Sequence, residues 1–503
     1  MKLTLIGLPW IFSEPEFKNY EGFSQNLGIA YLAAYAEKHG HIVTVIDAFA
    51  EGAHTSQETR VGSNKVYVIG YEPEHVANII TEDTDIIGIS CPFSSQAFLI
   101  EIFASKIKSR FPDKLIVLGG PHAIRDPREA LTRNIDIVVR GEGEIPLTQI
   151  LGGTELSKIR GIVYRDGNIV KDNGLAPVVE NMDDLPFPAR HLMPMDKYFL
   201  RSPRGGKSTG RERIICMTTT RGCPFQCKFC SLHNLENDYA KTWRARSPEN
   251  VMAEIDGLIA KYGRIALQFE DDNILVKRDR AKELFKQLRA RNVKWAIHSG
   301  VMIQLLDDEM LRLMKESGCT QLNIAIESGN QKIIKEMKKP MPLHKAVEAV
   351  QLCKKYGINA LGFLMVGYPG ETEESFQETL SFLRKLKALG LKKVSPFIVN
   401  AHKSTPLFEE AKERGYLTEN IEDTLFNSGL VSIETEDFDG ETVKRWVQQV
   451  QEIFHPHRAK FKSTLKKILG NNAYSQLVHL RHRAARTSPA SYQSSAEGAP
   501  TKY

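Results

Sequence analysis

The chain has 503 residues, of which 42% are apolar and 25% charged, with a formal net charge of +6. No apolar stretch reaches the roughly 18 residues of a membrane-spanning helix, and the N-terminus lacks the pattern of a signal or transit peptide. We therefore expect a cytoplasmic protein. Because the length exceeds what one hydrophobic core usually organises, we also expect at least two folded domains.

Short apolar strands alternate with helix-patterned segments through the first 150 residues. The pattern predicts strands at 3–7, 42–46, 86–90, 115–119 and 135–139, and helices at 27–38 and 95–108. Such alternation is typical of α/β proteins with a doubly wound parallel sheet of the Rossmann or flavodoxin-like kind. Residues 1–150 are therefore predicted to form one such domain.

Doubly wound sheets bind their ligands outside the carboxyl ends of the strands, and here those ends carry small and polar residues. Glycine at a strand end lets the backbone approach a flat ligand closely. A single loop of this kind could be a tight turn alone, but several at one edge indicate a large ligand. The candidate binding residues are Ser90, Gly119, Gly120, Pro121, His122, Gly141, Glu142 and Gly143.

Residues 151–210 lose the regular pattern and predict a connector that contains a small hairpin near 161–170. The alternation then resumes over residues 211–400, with strands predicted at 213–220, 265–270, 294–298, 322–327, 360–366 and 393–399. Six strand–helix units favour a partial (β/α)6 barrel, whose chemistry lies at the carboxyl ends of its strands.

The C-terminal part of the chain has a different character. Residues 401–486 are predominantly helical in pattern. Residues 487–503 are rich in Ser, Ala and Pro, and we expect them to be disordered.

Three of the seven cysteines crowd into Arg221-Gly-Cys223-Pro-Phe-Gln-Cys227-Lys-Phe-Cys230, directly after the first strand of the second domain. In a reducing compartment this spacing indicates a metal centre. Three thiolates on a short loop can hold three irons of a cubane cluster and leave the fourth iron open. A closed Cys₃His zinc site, with His233 as the fourth ligand, is the main alternative. Inert core cysteines, the bland interpretation, fit Cys216, Cys319 and Cys353.

At these residues the chain resembles the radical S-adenosylmethionine superfamily, whose signature is Cys-x₃-Cys-x₂-Cys with an aromatic residue before the last cysteine, here Phe229. The resemblance implies a [4Fe–4S] cluster on Cys223, Cys227 and Cys230. It also implies that the open iron chelates the methionine moiety of S-adenosylmethionine. One electron from the reduced cluster then gives a 5′-deoxyadenosyl radical, which abstracts hydrogen from unactivated carbon.

Further residues match the superfamily one by one. The resemblance implies that Glu270, Asp271 and Asp272 hold the methionine amino group, although an acidic turn that caps a helix is the competing interpretation. It implies that Glu327 and Ser328 meet the ribose. The segment 363–371 matches the adenine-side motif only loosely, with glycine in place of the expected glutamate.

The N-terminal domain resembles the cobalamin-binding module fused to one branch of this superfamily, through 26–34, 88–90, 119–123 and 141–144. The Asp-x-His-x-x-Gly motif of proteins that ligate cobalt from below is absent. We therefore expect cobalt without a histidine lower ligand, and His122 as a loop residue beside the cofactor. A nicotinamide or flavin nucleotide is the alternative ligand, but no Gly-x-Gly-x-x-Gly follows the first strand.

The leading hypothesis is methyl transfer to an inert carbon of a small molecule. Oxidative ring closure on a tetrapyrrole is an alternative within the same chemistry, and a non-catalytic zinc- and corrinoid-binding carrier or sensor is an alternative of another class. We expect a one-electron donor such as flavodoxin or ferredoxin, and no nucleic acid. The basic segment 455–486 could touch anionic lipid, which would suit an amphiphilic substrate and membrane association.

Overall fold

The structure is a computed structural model that describes residues 1–13, 24–199, 212–232, 243–419, 421–426 and 429–455. Met1–Val450 form one compact unit, and a second unit begins at Gln451. The segments that lie outside the described residues include the stretch with His233 (the fourth ligand of the alternative zinc site), most of the basic segment 455–486, and the tail 487–503.

The N-terminal part alternates strands and helices as predicted. Its strands are β1 (Lys2–Gly7), β2 (Trp10–Phe12), β3 (Ile42–Asp47), β4 (Ser56–Val61), β5 (Asn64–Ile69), β6 (Ile86–Ser90), β7 (Leu115–Gly119), β8 (Ile137–Val139), β9 (Ile162–Asp166) and β10 (Ile169–Asp172). Its helices are α1 (Leu27–Lys38), α2 (Ala48–Glu51), α3 (Pro73–Ile79), α4 (Ala97–Arg110), α5 (Pro121–Arg125), α6 (Pro127–Ala130), α7 (Glu144–Leu151) and, in the connector, α8 (Met195–Phe199).

The main N-terminal sheet has seven strands in the order β10-β9-β8-β7-β6-β1-β3. Strands β3, β1, β6, β7 and β8 are parallel, which is the flavodoxin-like order 2-1-3-4-5. The predicted doubly wound sheet is thereby confirmed. The hairpin predicted within the connector is β9–β10, and it extends this sheet because β9 pairs antiparallel with β8.

Helices cover both faces of this sheet, so its strands are apolar on both sides. On one face, α1 and α7 pack over residues such as Leu5, and on the other α3 and α4 pack over residues such as Ile116. Helix α1 begins where the Asn26 side chain accepts a hydrogen bond from the backbone N–H of Ile29 at 3.3 Å. This cap places the start of α1 at the carboxyl end of β1.

A separate three-stranded antiparallel sheet, in the order β2-β5-β4, was not expected from the sequence. Strand β4 is largely exposed and reads Ser-Gln-Glu-Thr-Arg-Val, so it lacks the apolar run that marks a buried strand. The sequence signal for the β4–β5 hairpin is Gly62 in its turn, a residue that the structure holds at φ of +57°.

The second domain is the predicted six-stranded structure. Its strands are β11 (Arg213–Met217), β12 (Thr220–Arg221), β13 (Arg244–Ala245), β14 (Ile265–Phe269), β15 (Lys294–Val301), β16 (Cys319–Glu327), β17 (Asn359–Val366) and β18 (Lys393–Ile398). Its helices are α9 (Pro248–Tyr262), α10 (Arg278–Arg289), α11 (Asp308–Glu316), α12 (Gln331–Glu336), α13 (Leu343–Tyr356) and α14 (Glu373–Leu389). They are followed by α15 (Pro406–Glu413) and α16 (Gly440–Phe454).

The six long strands of this domain are parallel and lie in chain order, β11-β14-β15-β16-β17-β18. The partial (β/α)6 barrel is therefore confirmed. The first predicted strand was too long: β11 ends at Met217, and Thr220–Arg221 form β12, which pairs with β13 instead. Register shifts occur near the carboxyl ends of β15 and β16, where the predicted site residues lie.

Within the part of the chain that the structure describes, no helix is long and apolar enough to cross a membrane.

Candidate functional site

A cavity of about 380 Å³ opens at the carboxyl ends of β1, β6, β7 and β8. Ser90 and Gly119, which are neighbours in the register of β6 and β7, both line it. Its position, beside the point where the strand order reverses, is where open α/β sheets bind their ligands. Of the predicted binding residues, those that line the cavity are Ser90, Gly119, Gly120, Pro121, Gly141, Glu142 and Gly143.

Two glycines leave space in this cavity that a side chain would fill. A Cβ atom on Gly119 would meet only the Cβ of Val139, at 4.0 Å, and one on Gly28 only the side-chain oxygen of Asn26, at 3.9 Å. By contrast, Gly120 has φ of +102°, and a Cβ there would lie 2.7 Å from the carbonyl oxygen of Cys91. Gly120 is thus required by the backbone, whereas Gly119 and Gly28 provide room for a bulky ligand.

Helix α5 separates His122 from this cavity. Pro121 and Ile124 line the cavity, while His122 lines a second cavity on the other side of the helix. Nδ1 of His122 lies 3.2 Å from Oγ of Ser94. Of the loop 119–122, the structure therefore places His122 alone away from the first cavity.

The barrel domain completes the first cavity through Thr218 and Arg221. The Arg221 guanidinium lies 2.9 Å from the carboxylate of Glu142 and 2.7 Å from that of Glu144, and 5.1 Å from the centre of the Tyr31 ring. Burial opposes the charge of Arg221, but the two carboxylates outweigh it and raise its pKa. Sequence reasoning missed this contribution, because nothing in the spacing pairs Arg221 with residues of the other domain.

The loop that carries the three predicted cluster ligands begins at Gly222, directly after β12. Gly222 has φ of +86°, and its backbone N–H donates to Oδ2 of Asp272 at 2.9 Å. Lys228 anchors the middle of the loop, since its N–H donates to the carbonyl of Met337 at 3.0 Å and its Nζ lies 2.7 Å from Glu410. The loop is therefore held by the barrel on both sides of Cys227.

Cys223, Cys227 and Cys230 are free thiols, of which Cys227 is buried and the other two are partly exposed. Burial raises the pKa of the Cys227 thiol, and it raises the pKa of the Cys230 thiol to about 12. Binding of a metal would therefore have to displace their protons. Nδ2 of Asn273 lies 3.8 Å from Sγ of Cys223, and contacts of this kind tune bound sulfur. Among the described residues, no group of three or more His, Cys, Asp or Glu side chains is arranged to hold a metal ion.

The acidic residues after β14 have unequal environments. Oδ1 of Asp271 accepts three hydrogen bonds, from the N–H of Thr219 at 3.0 Å and from the hydroxyls of Thr219 and Thr220 at 2.7 Å each. Asp271 thus ties the end of β14 to the strand that leads into the cysteine loop. Burial raises its pKa.

Two buried acceptors at this strand end, Oδ2 of Asp271 and Oε1 of Gln268, have no hydrogen-bond partner within the described ranges. The side-chain amide of Gln268 donates to Glu270, the first of the three acidic residues. Unpaired buried acceptors suit an ammonium group, and the acceptors at this edge therefore fit the amino group of S-adenosylmethionine.

At the end of β16, Glu327 adopts φ of +60°, a strained conformation for a residue with a side chain. Its carboxylate lies 2.8 Å from Nζ of Lys339, and both side chains are buried. Nζ of Lys339 in turn lies 6.0 Å from the centre of the Phe229 ring. Lys339, which sequence reasoning missed, therefore connects this strand end to the cysteine loop.

Ser328 is fully buried, and its hydroxyl lies 3.5 Å from the hydroxyl of Thr379 on α14. It also accepts a hydrogen bond from the N–H of Asn330 at 3.1 Å. These contacts hold the loop after β16 against α14.

The segment after β17 is a tight loop closed by Glu371. Oε2 of this fully buried carboxyl accepts hydrogen bonds from the N–H of Gly367 at 2.8 Å and of Tyr368 at 3.0 Å, while Oε1 has no partner among the described residues. Burial raises the pKa of Glu371 to about 7, against an ordinary value of 4.5. Glu371 therefore stabilises the loop by accepting hydrogen bonds from its backbone.

We expect Glu371→Gln to stabilise the protein at pH 8 by up to about 3 kcal/mol and to give no gain at pH 4.5. The folded state holds this proton more tightly than the unfolded state, so the wild-type chain loses stability as pH rises from about 4.5 to about 7. Glutamine keeps the acceptor and removes the charge. Urea midpoints at both pH values measure the effect. The exposed Glu374→Gln is the control, with less than about 0.5 kcal/mol expected; equal pH profiles for wild type and Glu371→Gln would contradict the prediction.

The structure thus combines an α/β domain that has a cavity at its switch point with a barrel that carries three free cysteines on one loop. Family models agree with this division. The model described as B12 binding domain matches residues 17–151, and that described as Radical SAM superfamily matches residues 217–383.

Two curated relatives cover most of the chain. An uncharacterized methyltransferase of Pyrococcus horikoshii is 31% identical over 77% of this chain and 78% of its own length. The cytidylyl-2-hydroxyethylphosphonate methyltransferase of Streptomyces wedmorensis is 28% identical over 86% of both chains. The protein belongs to the cobalamin-dependent radical S-adenosylmethionine enzymes, and both of these relatives are methyltransferases by name.

Solved structures agree on the fold. The radical S-adenosylmethionine methyltransferase TsrM of Kitasatospora setae, solved with cobalamin and a [4Fe–4S] cluster, has a TM-score of 0.62 at 15% identity over 82% of this chain and 74% of its own. The cobalamin-dependent enzyme OxsB has a TM-score of 0.62 at 19% identity over 97% of this chain and 62% of its own. The two family models, rather than these structures, confirm the expected cofactors, a [4Fe–4S] cluster, S-adenosylmethionine and cobalamin.

We predict that Gly119→Leu weakens cobalamin binding at least about tenfold, because its side chain would occupy the space that Gly119 leaves in the first cavity. Corrinoid absorbance retained after gel filtration measures this loss. Gly257→Leu, on the exposed face of α9 with no atom within 4 Å of its Cβ position, is the matched control. Normal corrinoid retention by Gly119→Leu would rule out this cavity as the corrin site.

Proposed function

We propose that this protein transfers a methyl group to an unactivated carbon of a small-molecule substrate. The observation that carries the proposal is the position of Arg221. This residue lines the cobalamin cavity and stands two positions before Cys223, the first cluster ligand. One short segment thus borders the sites for both cofactors. A reaction that needs both a methyl donor and a radical requires these two sites to lie close together.

When bound, the cluster and S-adenosylmethionine supply a carbon-centred radical, and cobalamin supplies the methyl group. We propose that Cys223, Cys227 and Cys230 hold the cluster and that Phe229, packed toward Lys339, keeps water from it. Glu270, Asp271 and Asp272 receive the methionine amino group, with Oδ2 of Asp271 as the open acceptor while its Oδ1 positions this turn. Glu327 is the polar group at the ribose side, and the buried Ser328 positions it.

In the first domain, we propose that the loops after β6, β7 and β8 hold the corrin, with Glu142 fixed by Arg221 and by Arg244. No contact of His122 supports a role as ligand to cobalt, since it faces the second cavity. The methyltransferase relatives support methyl transfer more than cyclisation. The anaerobic magnesium-protoporphyrin IX monomethyl ester cyclase of Cereibacter sphaeroides matches 53% of this chain and 44% of its own length.

We further propose domain limits at residues 150, 210 and 400, with a helical region to 486. A flavodoxin or ferredoxin is the expected electron donor. Peripheral contact of the basic segment 455–486 with anionic lipid is a further proposal, supported by its eight Lys and Arg and its lack of Asp and Glu.

Anaerobic reconstitution with S-adenosylmethionine, dithionite and hydroxocobalamin, followed by mass spectrometry, tests the function. A methyltransferase is expected to form both 5′-deoxyadenosine and S-adenosylhomocysteine. The first product alone would favour cyclisation or another radical outcome. Neither product, together with zinc in place of iron and sulfide, would identify a carrier or sensor and overturn the proposal.

A further inference from the structure

A second cavity, of about 470 Å³, lies outside the two cofactor sites. Segments that follow the carboxyl ends of β6, β7 and β18 border it, so it opens at the same edges of the two sheets as the cofactor sites. Helix α5 is shared: Pro121 and Ile124 face the cobalamin cavity, and His122 and Arg125 face the second cavity. The two spaces are therefore adjacent across one short helix.

The polar groups in the inner part of this cavity centre on Arg125. Its Nη1 donates to Oγ of Ser94 at 2.8 Å, and the same oxygen lies 3.2 Å from Nδ1 of His122. Within the described residues, Arg125 makes no ion pair, although it is more than half buried, and burial lowers its pKa. A partly desolvated guanidinium without a counter-ion is costly, and an anionic ligand would remove that cost.

The two histidines of this cavity do not compete with Arg125 for that role. Burial, reinforced by Arg125, lowers the pKa of His402 to about 4, and burial also lowers the pKa of His122. Both imidazoles are therefore neutral at pH 7 and serve as hydrogen-bonding groups. Arg125 is left as the positive charge of the inner part of the cavity.

The cavity also contains three carboxylates, those of Asp126, Glu129 and Glu422. Exposed Lys403 and Glu422 form an ion pair at 2.9 Å. Oδ1 of Asp126 caps α6 by accepting the N–H of Glu129 at 3.2 Å. Three carboxylates and Lys403 make this part of the lining negative, but within the described residues none of these carboxylates forms an ion pair with Arg125.

The remaining wall is apolar and includes an aromatic pair. The rings of Phe98 and Phe426 meet edge to face, with centroids 6.0 Å apart, beside Ala97 and Ile100. This wall suits a flat or hydrocarbon group next to the anionic one.

The loop after β18 is held in a strained conformation beside this cavity. Ser404 has φ of +66°, and its hydroxyl donates to the carbonyl of Arg125 at 3.2 Å. Strain of this kind is kept where the surrounding structure fixes it, typically at binding sites. The contact joins the end of the barrel to helix α5 and sets the position of His402 relative to Arg125.

We propose that the second cavity is the substrate-recognition site and that it binds an apolar or aromatic compound through a phosphoryl or carboxylate group held by Arg125. This inference rests on the proposed function, because it takes the bound anion to be the methyl acceptor. Arg125 supplies two parallel donors for the anion, Ser94 and His402 supply further polar contacts, and the Phe98–Phe426 wall holds the apolar part.

Binding of 1-naphthyl phosphate to the cobalamin- and cluster-loaded protein, measured by isothermal titration calorimetry, tests this site. We expect Arg125→Met to weaken binding roughly 10- to 100-fold, and Arg125→Lys to have a smaller effect because it keeps the charge without the planar fork. Arg128→Met, on the exposed face of the next helix, is the matched control and is expected to change nothing. Comparison with 1-naphthoate distinguishes a phosphoryl from a carboxylate preference, and neutral 1-naphthol reports the apolar wall alone.

Ala97→Phe is a second variant that keeps every charge and fills the cavity. It is expected to weaken binding of the phosphate and of 1-naphthol together. Unchanged phosphate affinity in Arg125→Met and in Ala97→Phe, or an equal loss in Arg128→Met, would overturn the inference. These affinities are equilibrium measurements without S-adenosylmethionine, so they are independent of the product analysis that tests the proposed function.

Discussion

Cys227→Ala is expected to reduce 5′-deoxyadenosine formation to the detection limit, a loss of at least about 100-fold. Cys227 is the most buried of the three cysteines and lies in the middle of the loop that Lys228 anchors. Removal of its sulfur leaves two thiolates, too few to retain three irons of a cubane. Iron and sulfide content should therefore fall together with product.

Cys353→Ala is the matched control for this variant. Cys353 is a free, buried cysteine on α13, remote in the sequence from the cluster loop. It is expected to retain full iron, sulfide and product, with a small loss of stability from the deleted sulfur. Wild-type yield of 5′-deoxyadenosine from Cys227→Ala would be incompatible with the cluster assignment.

Glu254→Ala is expected to lower the free energy of unfolding by about 3–5 kcal/mol. Glu254, on α9, is buried and forms ion pairs with two buried arginines, Arg190 from the connector and Arg246 after β13. Its removal leaves two guanidinium groups in the interior without a counter-charge. Because Arg190 also donates to the carbonyl of Cys216 at 2.8 Å, the variant would loosen the connector from the first barrel strand.

Asp256→Ala provides the comparison on the same helix. Asp256 pairs with Arg291 at 2.7 Å, but its side chain is more than half exposed, so water replaces the lost partner. We expect a cost below about 1 kcal/mol. Shifts of the urea midpoint of the cofactor-free chain measure both variants. Similar shifts for Glu254→Ala and Asp256→Ala would show that burial does not set the energy of the Glu254 cluster.

The barrel strands illustrate how far periodicity determines structure. Their predicted bounds lie within a few residues of those observed, because apolar runs flanked by glycine and charge leave few alternatives. The exception is the end of the first strand. Thr220 has the composition of a strand residue and is one, but in β12, which pairs with Arg244–Ala245. Partner choice of this kind depends on residues distant in the chain.

The polar residues of the site were harder to interpret from the sequence. One acidic run contains Glu270, Asp271 and Asp272, but its members have different partners. Asp271 accepts hydrogen bonds from the hydroxyls of two threonines, and Asp272 accepts one from the N–H of Gly222. His122 follows directly after residues that line the first cavity, but the turn of α5 directs it to the second cavity. Successive positions on a helix point about 100° apart, and which of them meets which cavity is not revealed by composition.

By itself the sequence determined the order of the two domains, the strands that build them and the three-cysteine loop, because these depend on local spacing and local hydrophobic periodicity. Only the tertiary structure decided that Arg221 lines the first cavity, that Lys339 pairs with Glu327, and that Arg125 lies in a second cavity without an ion-pair partner among the described residues. Each of those facts joins residues from different elements. Their energies come from charge and burial at close range, which a linear sequence does not display.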